Sequence, residues 1–149
     1  MRIGVTGAKG FIGKYLLSAL KKRGTVVTLP RKKKGLPGKQ ELKRFVTGTD
    51  LFFFHLGGVN RDTDEEILKG NISGTSRLLE AILDNGKSSA RLIFMSSAQV
   101  YSMANCKTPI RETRKANPDT VYGVSKLGAE NLIRISGIPF AILRLSNVY

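Results

Sequence analysis

Thr6-Gly7-Ala8-Lys9-Gly10-Phe11-Ile12-Gly13 is the stretch of sequence that decides the fold. It follows a short β-prone run at residues 3–6, and from Phe11 to Leu20 apolar residues recur at helical spacing. A strand, a glycine-rich turn and a helix are therefore predicted in direct succession. Phosphate groups bind at such turns because backbone N–H groups point at the anion from the helix N-terminus.

Each glycine of this turn has a predicted role in phosphate binding. Gly7 makes the tight turn, Gly10 lets the phosphate approach the backbone, and Gly13 lets the helix pack on the strand. Phe11 and Ile12 belong to the same predicted binding segment. The Gly-x-x-Gly-x-x-Gly spacing differs from the commoner Gly-x-Gly-x-x-Gly, so a turn that merely favours glycine is the alternative.

The rest of the chain alternates strands and helices. Such alternation predicts an α/β fold with a Rossmann-like, doubly wound parallel sheet and helices on both faces. Only 21 residues separate the second and third strands, enough for one helix and a turn, so one edge strand of the usual arrangement is missing and the expected strand order is 2-1-3-4-5. The third strand is a continuous apolar run, which predicts burial on both faces. The predicted strands after the first are 26–29, 51–56, 92–95 and 140–145, and the later helices are 39–46, one through 78–83, and 122–135.

The composition is that of a globular domain with a local excess of positive charge. The 149 residues include 25 Lys+Arg and 11 Asp+Glu, a formal charge of +14, with 41% hydrophobic residues. Residues 21–44 contain ten of the basic residues and one acidic residue, so most of the charge belongs to this segment. No run is long enough to span a bilayer, and the single Cys106 cannot form an internal disulfide. We expect one dinucleotide-binding domain over 1–149, no export signal, and a cytoplasmic location.

Two further patterns indicate chemistry. Tyr122 and Lys126 are spaced i and i+4, so a helix places them on one face, where an ammonium would lower the pKa of the phenol and fit it for acid/base work. Ser96 and Ser97 follow a buried strand, at the sheet edge where ligands bind. The alternatives are a chance surface pair and serines that only cap a loop.

Taken together, the motifs resemble the extended short-chain dehydrogenase/reductase family, the NAD(P)-dependent nucleotide-sugar epimerase/dehydratase group. The resemblance extends from Met1 to Tyr149 and includes the family's motifs in the family's order. These motifs are Thr6-Gly7-Ala8-Lys9-Gly10-Phe11-Ile12-Gly13, His55-Leu56-Gly57-Gly58, Asn71-Ile72-Ser73-Gly74-Thr75, Ser96-Ser97-Ala98-Gln99-Val100-Tyr101, Tyr122-Gly123-Val124-Ser125-Lys126 and Arg144-Leu145-Ser146-Asn147-Val148-Tyr149.

The resemblance implies hydride transfer between a sugar carbon and a nicotinamide, with roles for particular residues. Ser97 resembles the catalytic serine or threonine, Tyr122 the acid/base, and Lys126 its partner, which also holds the nicotinamide ribose. Further matches place Leu56, Gly57 and Asn71 along the cofactor, and Arg144, Asn147 and again Ser97 toward the substrate. His55 is expected to be structural or cofactor-adjacent, and no metal site is expected.

The end of the second strand favours NADP over NAD. An NAD-preferring fold has an acidic residue there, whereas this sequence has Leu29-Pro30-Arg31-Lys32-Lys33-Lys34. Arginine binds a 2′-phosphate bidentately, so Arg31 is the expected contact and Lys32 the next. A solvated basic loop is the alternative, with NAD as the cofactor.

The family continues beyond the position of Tyr149 with a substrate domain, so we expect this chain to be the cofactor-binding part, with the substrate domain missing. Its partner would then be a nucleotide-sugar in the longer enzyme, and the family's homodimer is a candidate assembly through the helix at 122–135.

Two competing hypotheses are a non-catalytic NADP-binding regulatory or redox-sensing module, and a nucleic-acid binder using residues 21–44. The second is disfavoured because the segment has few aromatics and no nucleic-acid motif. We expect neither nucleic acid nor membrane as a partner.

Overall fold

A computed structural model of the chain describes residues 1–30, 36–102, 109–146 and 148. Five strands and five α-helices follow one another, with a π-helical turn at Lys69–Ser73 and a 3-10 turn at Ala98–Val100. The strands are β1 (Arg2–Thr6), β2 (Thr25–Thr28), β3 (Phe52–His55), β4 (Arg91–Ser97) and β5 (Phe140–Leu145). The helices are α1 (Phe11–Lys21), α2 (Lys39–Thr47), α3 (Asp64–Leu68), α4 (Gly74–Asp84) and α5 (Val121–Ile135).

The five strands form one sheet in the order β2-β1-β3-β4-β5, and every neighbouring pair is parallel. This confirms the predicted order 2-1-3-4-5. Thr6 pairs with His55, and His55 pairs with Phe94, so the carboxyl ends of the three central strands are aligned. The residues that follow β1, β3 and β4 therefore emerge at one edge of the sheet.

Helices cover the two faces of the sheet unequally. The larger core lies beneath α2, α4 and α5 and includes Phe53, Leu92 and Phe94 from the sheet. On the opposite face α1 packs mainly over β1 and β2, with Leu20 buried against Ile3 and Val5. Helices on both faces agree with the predicted doubly wound architecture.

One consequence of this unequal coverage differs from the prediction for β3. Phe53 and His55 are buried beneath the three-helix face, whereas Phe52 and Phe54 on the α1 face are only partly buried. The apolar run had predicted burial on both faces. The single helix α1 lies over β1 and β2, and the far side of the sheet is incompletely covered: Leu143 on β5 is 42% exposed.

The short helical segment before α4 was not predicted. The N-cap of α3 is Thr63, whose hydroxyl accepts from the Glu66 N–H, and three acidic residues occupy the first turn of the helix. The segment then continues through the π-helical turn into α4. α3 has only five residues, too few for an apolar periodicity to be recognised.

The described part of the segment that leads into α5 is a loop. Residues 109–120 contain neither helix nor strand, and α5 begins at Val121, capped by the Thr120 hydroxyl on the Gly123 N–H. Within the described ranges, no helix combines the length and apolar character needed to cross a membrane.

Candidate functional site

The glycine-rich turn packs directly against the segment that follows β3. Gly7 has φ +69°, and a β-carbon there would lie 2.7 Å from the Gly57 nitrogen and from the Leu56 carbonyl carbon. A side chain at Gly7 is excluded both by this conformation and by this contact. The turn is closed by the Gly10 N–H donating to the Gly7 carbonyl over 2.9 Å.

Gly13 has a role that differs in detail from the predicted one. A β-carbon at Gly13 would overlap the Gly7 carbonyl oxygen and approach Ala8, so the first turn of α1 packs on the glycine loop rather than on the strand. The helix has no acidic residue in its first turn, and its N-cap is Gly10. The backbone N–H groups that begin α1 therefore face the sheet edge without a competing carboxylate, as phosphate binding requires.

His55 lies at the centre of a buried hydrogen-bond chain, which we call the His55 chain. It consists of Gly57 N–H, Thr6, His55, Thr75 and the Asn71 carbonyl. The Thr75 hydroxyl donates to Asn71 O over 2.7 Å, so it must accept from His55 Nε2, 3.0 Å away. Nε2 therefore carries the ring proton, and Nδ1 accepts from the Thr6 hydroxyl over 2.7 Å. Thr6 Oγ1 in turn accepts from Gly57 N–H over 3.0 Å.

The ring of His55 is held neutral. Burial, and secondarily the charge of Lys126, lower the pKa of His55 from 6.5 to about 3. Both ring nitrogens are occupied by threonine hydroxyls. His55 is thus structural, as expected from the sequence, and it fixes the position of Gly57 through Thr6.

Asn71, predicted to lie along the cofactor, is buried, and its amide binds protein groups. Its Oδ1 accepts from Val59 N–H over 2.8 Å, while Nδ2 donates to Val59 O and to Ser125 Oγ, each over 2.8 Å. Ser125 Oγ donates to the Tyr122 carbonyl over 2.7 Å. Asn71 therefore joins the segment after β3 to the first turn of α5, and in this structure it is a positioning residue.

Tyr122 and Lys126 lie one turn apart on α5, as predicted. Lys126 is 3% exposed, and its Nζ lies 4.2 Å from the centroid of the Phe94 ring. Burial lowers the pKa of Lys126 to about 8, against an opposing effect of Glu130. The predicted lowering of the Tyr122 pKa by Lys126 is not seen: burial raises the pKa of that phenol. The ammonium lies over Phe94 and contributes nothing resolvable at the phenol.

A second buried group, the Glu130 cluster, lies between α5 and the last two strands. It comprises Glu130, Ser96, Tyr101, Arg134 and Arg144. The fully buried Glu130 carboxylate accepts from Ser96 Oγ over 2.6 Å and from Arg144 in a bidentate pair of 2.9 and 2.6 Å. Arg134 Nη2 lies 3.5 Å away, and Arg144 Nη1 donates to Tyr101 Oη over 2.6 Å. Burial acts to raise the pKa of Glu130, but these hydrogen bonds outweigh it and hold the pKa below its usual value.

Arg144, which the resemblance directed toward the substrate, has three of its nitrogens bound inside this cluster. Its place in the structure is therefore between α5 and β4. Nothing in the local sequence around Glu130 distinguished it from a surface glutamate. Its i+4 spacing from Lys126 is the one available signal.

Ser97 lies at the carboxyl end of β4, half-buried, where its hydroxyl accepts from Gln99 N–H over 3.2 Å. The turn that follows packs tightly on α5, because a β-carbon at Gly123 would overlap the Gln99 carbonyl oxygen. The Thr120 hydroxyl also donates to Gln99 Oε1 over 3.2 Å. The 3-10 turn that follows Ser97 and the first turn of α5, which bears Tyr122, are thus in contact.

Some predicted site residues cannot be placed. Arg31, Lys32 and Asn147 lie outside the described residues, as does Cys106. Phe11 is half-exposed at the start of α1, with its ring 5.4 Å from that of Tyr15, and Ile12 is partly buried. Among the described side chains, no group of three His, Cys, Asp or Glu could hold a metal ion.

Comparison with known proteins adds several relatives. A UDP-2-acetamido-2,6-beta-L-arabino-hexul-4-ose reductase of Pseudomonas aeruginosa is 34% identical over 154 residues, which cover 100% of this chain and 36% of that protein. A dTDP-6-deoxy-L-talose 4-dehydrogenase (NAD(P)(+)) of Kitasatospora kifunensis is 31% identical, covering 99% and 52%. This chain spans about a third to a half of the length of these relatives.

Solved structures share the fold. UDP-glucose 4-epimerase of Thermotoga maritima with UDP-glucose superposes with a TM-score of 0.85 at 26% identity, covering 100% of this chain and 56% of that one. The protein RMD of Pseudomonas aeruginosa, solved with NADPH, gives 0.80 at 30% identity, covering 98% and 54%. UDP-glucuronic acid 4-epimerase of Bacillus cereus, solved with NAD, gives 0.80 at 26% identity, covering 100% and 57%. The family model for the NAD dependent epimerase/dehydratase family matches residues 3–149. The chain therefore belongs to the NAD dependent epimerase/dehydratase family.

Proposed function

We propose that residues 1–149 form the dinucleotide-binding domain of a nucleotide-sugar epimerase, dehydratase or reductase, and that this domain binds NADP. The observation that carries the proposal is the close packing of the Gly7 turn against the Leu56–Gly57 backbone. It lies at the sheet edge where the Lys126 ammonium is also found. Two of the solved relatives contain NADPH or NAD.

The residues present fit a dinucleotide. The glycine turn leaves the backbone N–H groups of Phe11 and Ile12 at the start of a helix that has no acid in its first turn, which suits a pyrophosphate. Gly57 is held beside this turn by Thr6. When bound, the nicotinamide supplies hydride transfer, which no side chain of the protein can perform.

The protein's own contribution is to hold and move a proton. We assign Tyr122 as the acid/base at its phenolic oxygen, Lys126 as the cation that favours its ionised form, and Ser97 as the hydroxyl that orients the substrate oxygen. Burial raises the pKa of Tyr122 in the ligand-free protein, whereas a cation beside the phenolic oxygen would lower it. Asn147 and Arg144 remain proposed for the substrate side, although the described contacts of the Arg144 guanidinium are to Glu130 and Tyr101.

The preference for NADP follows from the end of β2. Thr28 pairs with Val5, and Leu29 N–H donates to Val5 O over 3.2 Å, so the chain leaves β2 beside the glycine turn. The residues that follow are Arg31 and three lysines, with no carboxylate. A 2′-phosphate is matched by these charges, and Arg31 with Lys32 would bind it.

Titration with NADPH and NADH tests the cofactor proposal. We expect NADPH to bind at least about tenfold more tightly, a difference of about 1.4 kcal/mol, and Arg31→Ala to remove most of this preference. Arg23→Ala is the matched control, because Arg23 follows the C-terminus of α1 at the opposite edge of the sheet. Equal binding, or tighter NADH, contradicts the NADP assignment.

Turnover tests the catalytic assignment. In an enzyme that joins this domain to a substrate domain, Tyr122→Phe should abolish nucleotide-sugar oxidation or reduction while cofactor affinity stays within a few-fold. Retained turnover in Tyr122→Phe would overturn the role of Tyr122. Tight NADPH binding with no turnover on any nucleotide-sugar would instead support a non-catalytic NADP-binding module. The homodimer through α5 is tested separately by the mass of the protein in solution.

A further inference from the structure

Among the described residues the Lys126 ammonium has no direct ion pair with a carboxylate, although the charge of Glu130 acts to raise its pKa. Within the part of the chain that the structure describes, Nζ makes no hydrogen bond or ion pair to a side chain, and its close contact is the Phe94 ring at 4.2 Å. The residue is almost fully buried. A buried ammonium without a carboxylate is costly unless something else stabilises its charge.

The nearby groups that could pair with Lys126 are already bound elsewhere. Glu130, one turn further along α5, is hydrogen-bonded by Ser96 and bidentately by Arg144. Both nitrogens of His55, on β3, are bound to Thr6 and Thr75. The Asn71 amide, from the π-helical turn, is bound to Val59 and Ser125.

The backbone of Gly58 lies next to the ammonium. A β-carbon at Gly58 would lie 3.8 Å from Lys126 Nζ and 2.9 Å from Asn71 Oδ1. The glycine therefore leaves room for the Asn71 amide and keeps a side chain of its own away from the ammonium. The N–H donors of Lys126 thus border the segment that follows β3, on the side of the candidate cofactor site.

The Phe94 ring has the geometry to stabilise a cation. Ammonium groups are attracted to the face of an aromatic ring within about 6 Å of its centroid, and the attraction grows when water is excluded. Phe94 is 1% exposed, and its ring is itself fixed by the neighbouring His55 ring, whose centroid lies 5.4 Å away. His55 pairs with Phe94 in the sheet, so the two rings lie side by side on adjacent strands.

We propose that Phe94 is a positioning residue for Lys126: its ring face holds the ammonium charged, in place of a carboxylate, and so leaves the N–H donors of Lys126 available to a ligand. A carboxylate at this place would bind those donors and compete with the ligand. The ring stabilises the charge without forming a hydrogen bond. The role of Lys126 toward a ligand rests on the proposed function, whereas the contact between Lys126 and Phe94 is present without a ligand.

The proposal is tested by titrating Lys126 in the ligand-free protein. Carbon-13 labelled lysine gives a Cε signal for each lysine in proton–carbon spectra, and the Lys126 signal is identified by its loss in Lys126→Met. The charged and titratable groups near Lys126 are Glu130 and Tyr122 on α5, His55 on β3, and Arg144 on β5 through Glu130. We expect Phe94→Leu to lower the Lys126 pKa further, by roughly half a unit to one and a half units.

Phe53→Leu is the matched control. Phe53 is also 1% exposed, lies on the neighbouring strand in the same core, and packs on Phe45 instead of a cation. We expect it to destabilise the protein about as much as Phe94→Leu without shifting the Lys126 titration. Equal shifts in both variants, or no shift in Phe94→Leu, would overturn the proposal.

A second series keeps the proposal testable if Phe94→Leu does not fold. Site-specific replacement of Phe94 by phenylalanines with increasing ring fluorination weakens the negative face of the ring with little change in shape. The Lys126 pKa should fall stepwise with fluorination, and an unchanged pKa across the series contradicts the proposal. Failure of NADPH to bind while the stepwise shift is present would refute the proposed function and leave this inference standing. Tight NADPH binding without the shift would support the proposed function and overturn this inference.

Discussion

The His55 chain and the Glu130 cluster are both buried beneath helices at the carboxyl edge of the sheet, but they differ in charge. The His55 chain is neutral throughout and joins the glycine turn to the π-helical turn before α4. The Glu130 cluster is ionic and joins α5 to β4 and β5. A neutral chain loses only uncharged hydrogen bonds when a member is removed, whereas an ionic cluster is left with an uncompensated charge. The two regions should therefore respond very differently to substitution and to pH.

The largest effect is expected from breaking the ionic cluster. Arg144→Met removes the bidentate partner of the Glu130 carboxylate and leaves a buried charge, which should lower the free energy of unfolding by about 3–5 kcal/mol. Urea unfolding measures this loss. Arg134→Met is the control, since Arg134 is half-exposed and 3.5 Å from the same carboxylate, and it should cost at most about 1 kcal/mol.

A double substitution sharpens the same test. If the cost of Arg144→Met arises from the stranded charge of Glu130, then adding Glu130→Gln should restore part of the lost stability. Costs that simply add would show that Arg144 acts through packing instead. The Glu130 cluster would then not respond to substitution as an ionic group.

A smaller effect is expected from breaking the neutral chain. Thr75→Val keeps the side-chain shape but leaves His55 Nε2–H without its acceptor and removes the hydroxyl that donates to Asn71 O, which should cost roughly 1–3 kcal/mol. Thr47→Val makes the same chemical change on the exposed end of α2, where water replaces the lost bond, and should cost well under 1 kcal/mol. A loss for Thr75→Val as large as that for Arg144→Met would contradict the distinction drawn between the two regions.

The two regions should also lose their stabilising effect over different pH ranges. His55 has a pKa of about 3 in the folded protein against an ordinary 6.5, so the unfolded state binds more protons between these values. Stability from this group therefore falls as the pH is lowered from about 6.5 toward 3, by at most about 1.4 kcal/mol per pH unit. Glu130 also has a lowered pKa, and its contribution is lost only as the pH falls below about 4.5.

His55→Gln isolates the neutral region in the pH measurement. Glutamine does not titrate, so the slope of stability against pH between about 6.5 and 5 should become shallower, while the loss below 4.5 remains. Unfolding curves at half-unit pH intervals give both slopes. An unchanged slope above pH 5 would show that His55 is not held neutral.

The fold was predictable because it follows from local signals. The glycine spacing at 7–13, the apolar run at 51–56 and the 21-residue gap between the second and third strands were enough to predict the strand order. Each of these depends on chain geometry that a single sequence displays. The positions of Tyr122 and Lys126 on one helix followed from their spacing in the same way.

The electrostatics of the site were not predictable from the sequence. Spacing alone suggested that Lys126 lowers the pKa of Tyr122, but burial raises that pKa, and the ammonium lies over Phe94. The binding of Arg144 by Glu130 depends on a contact between α5 and β5 that spans 14 residues. Such contacts arise from tertiary packing, which neither motif order nor periodicity specifies.

His55 is the single histidine of the sequence. Its ring resonances in an NMR spectrum therefore need no assignment, and the protonated Nε2 in the His55 chain gives them a defined tautomeric signature. Because the chain ends at Gly57 on one side and at Asn71 on the other, a ligand that moves either segment changes that signature. The protein thus carries a natural spectroscopic reporter at the junction of the glycine turn and the helical half of the site.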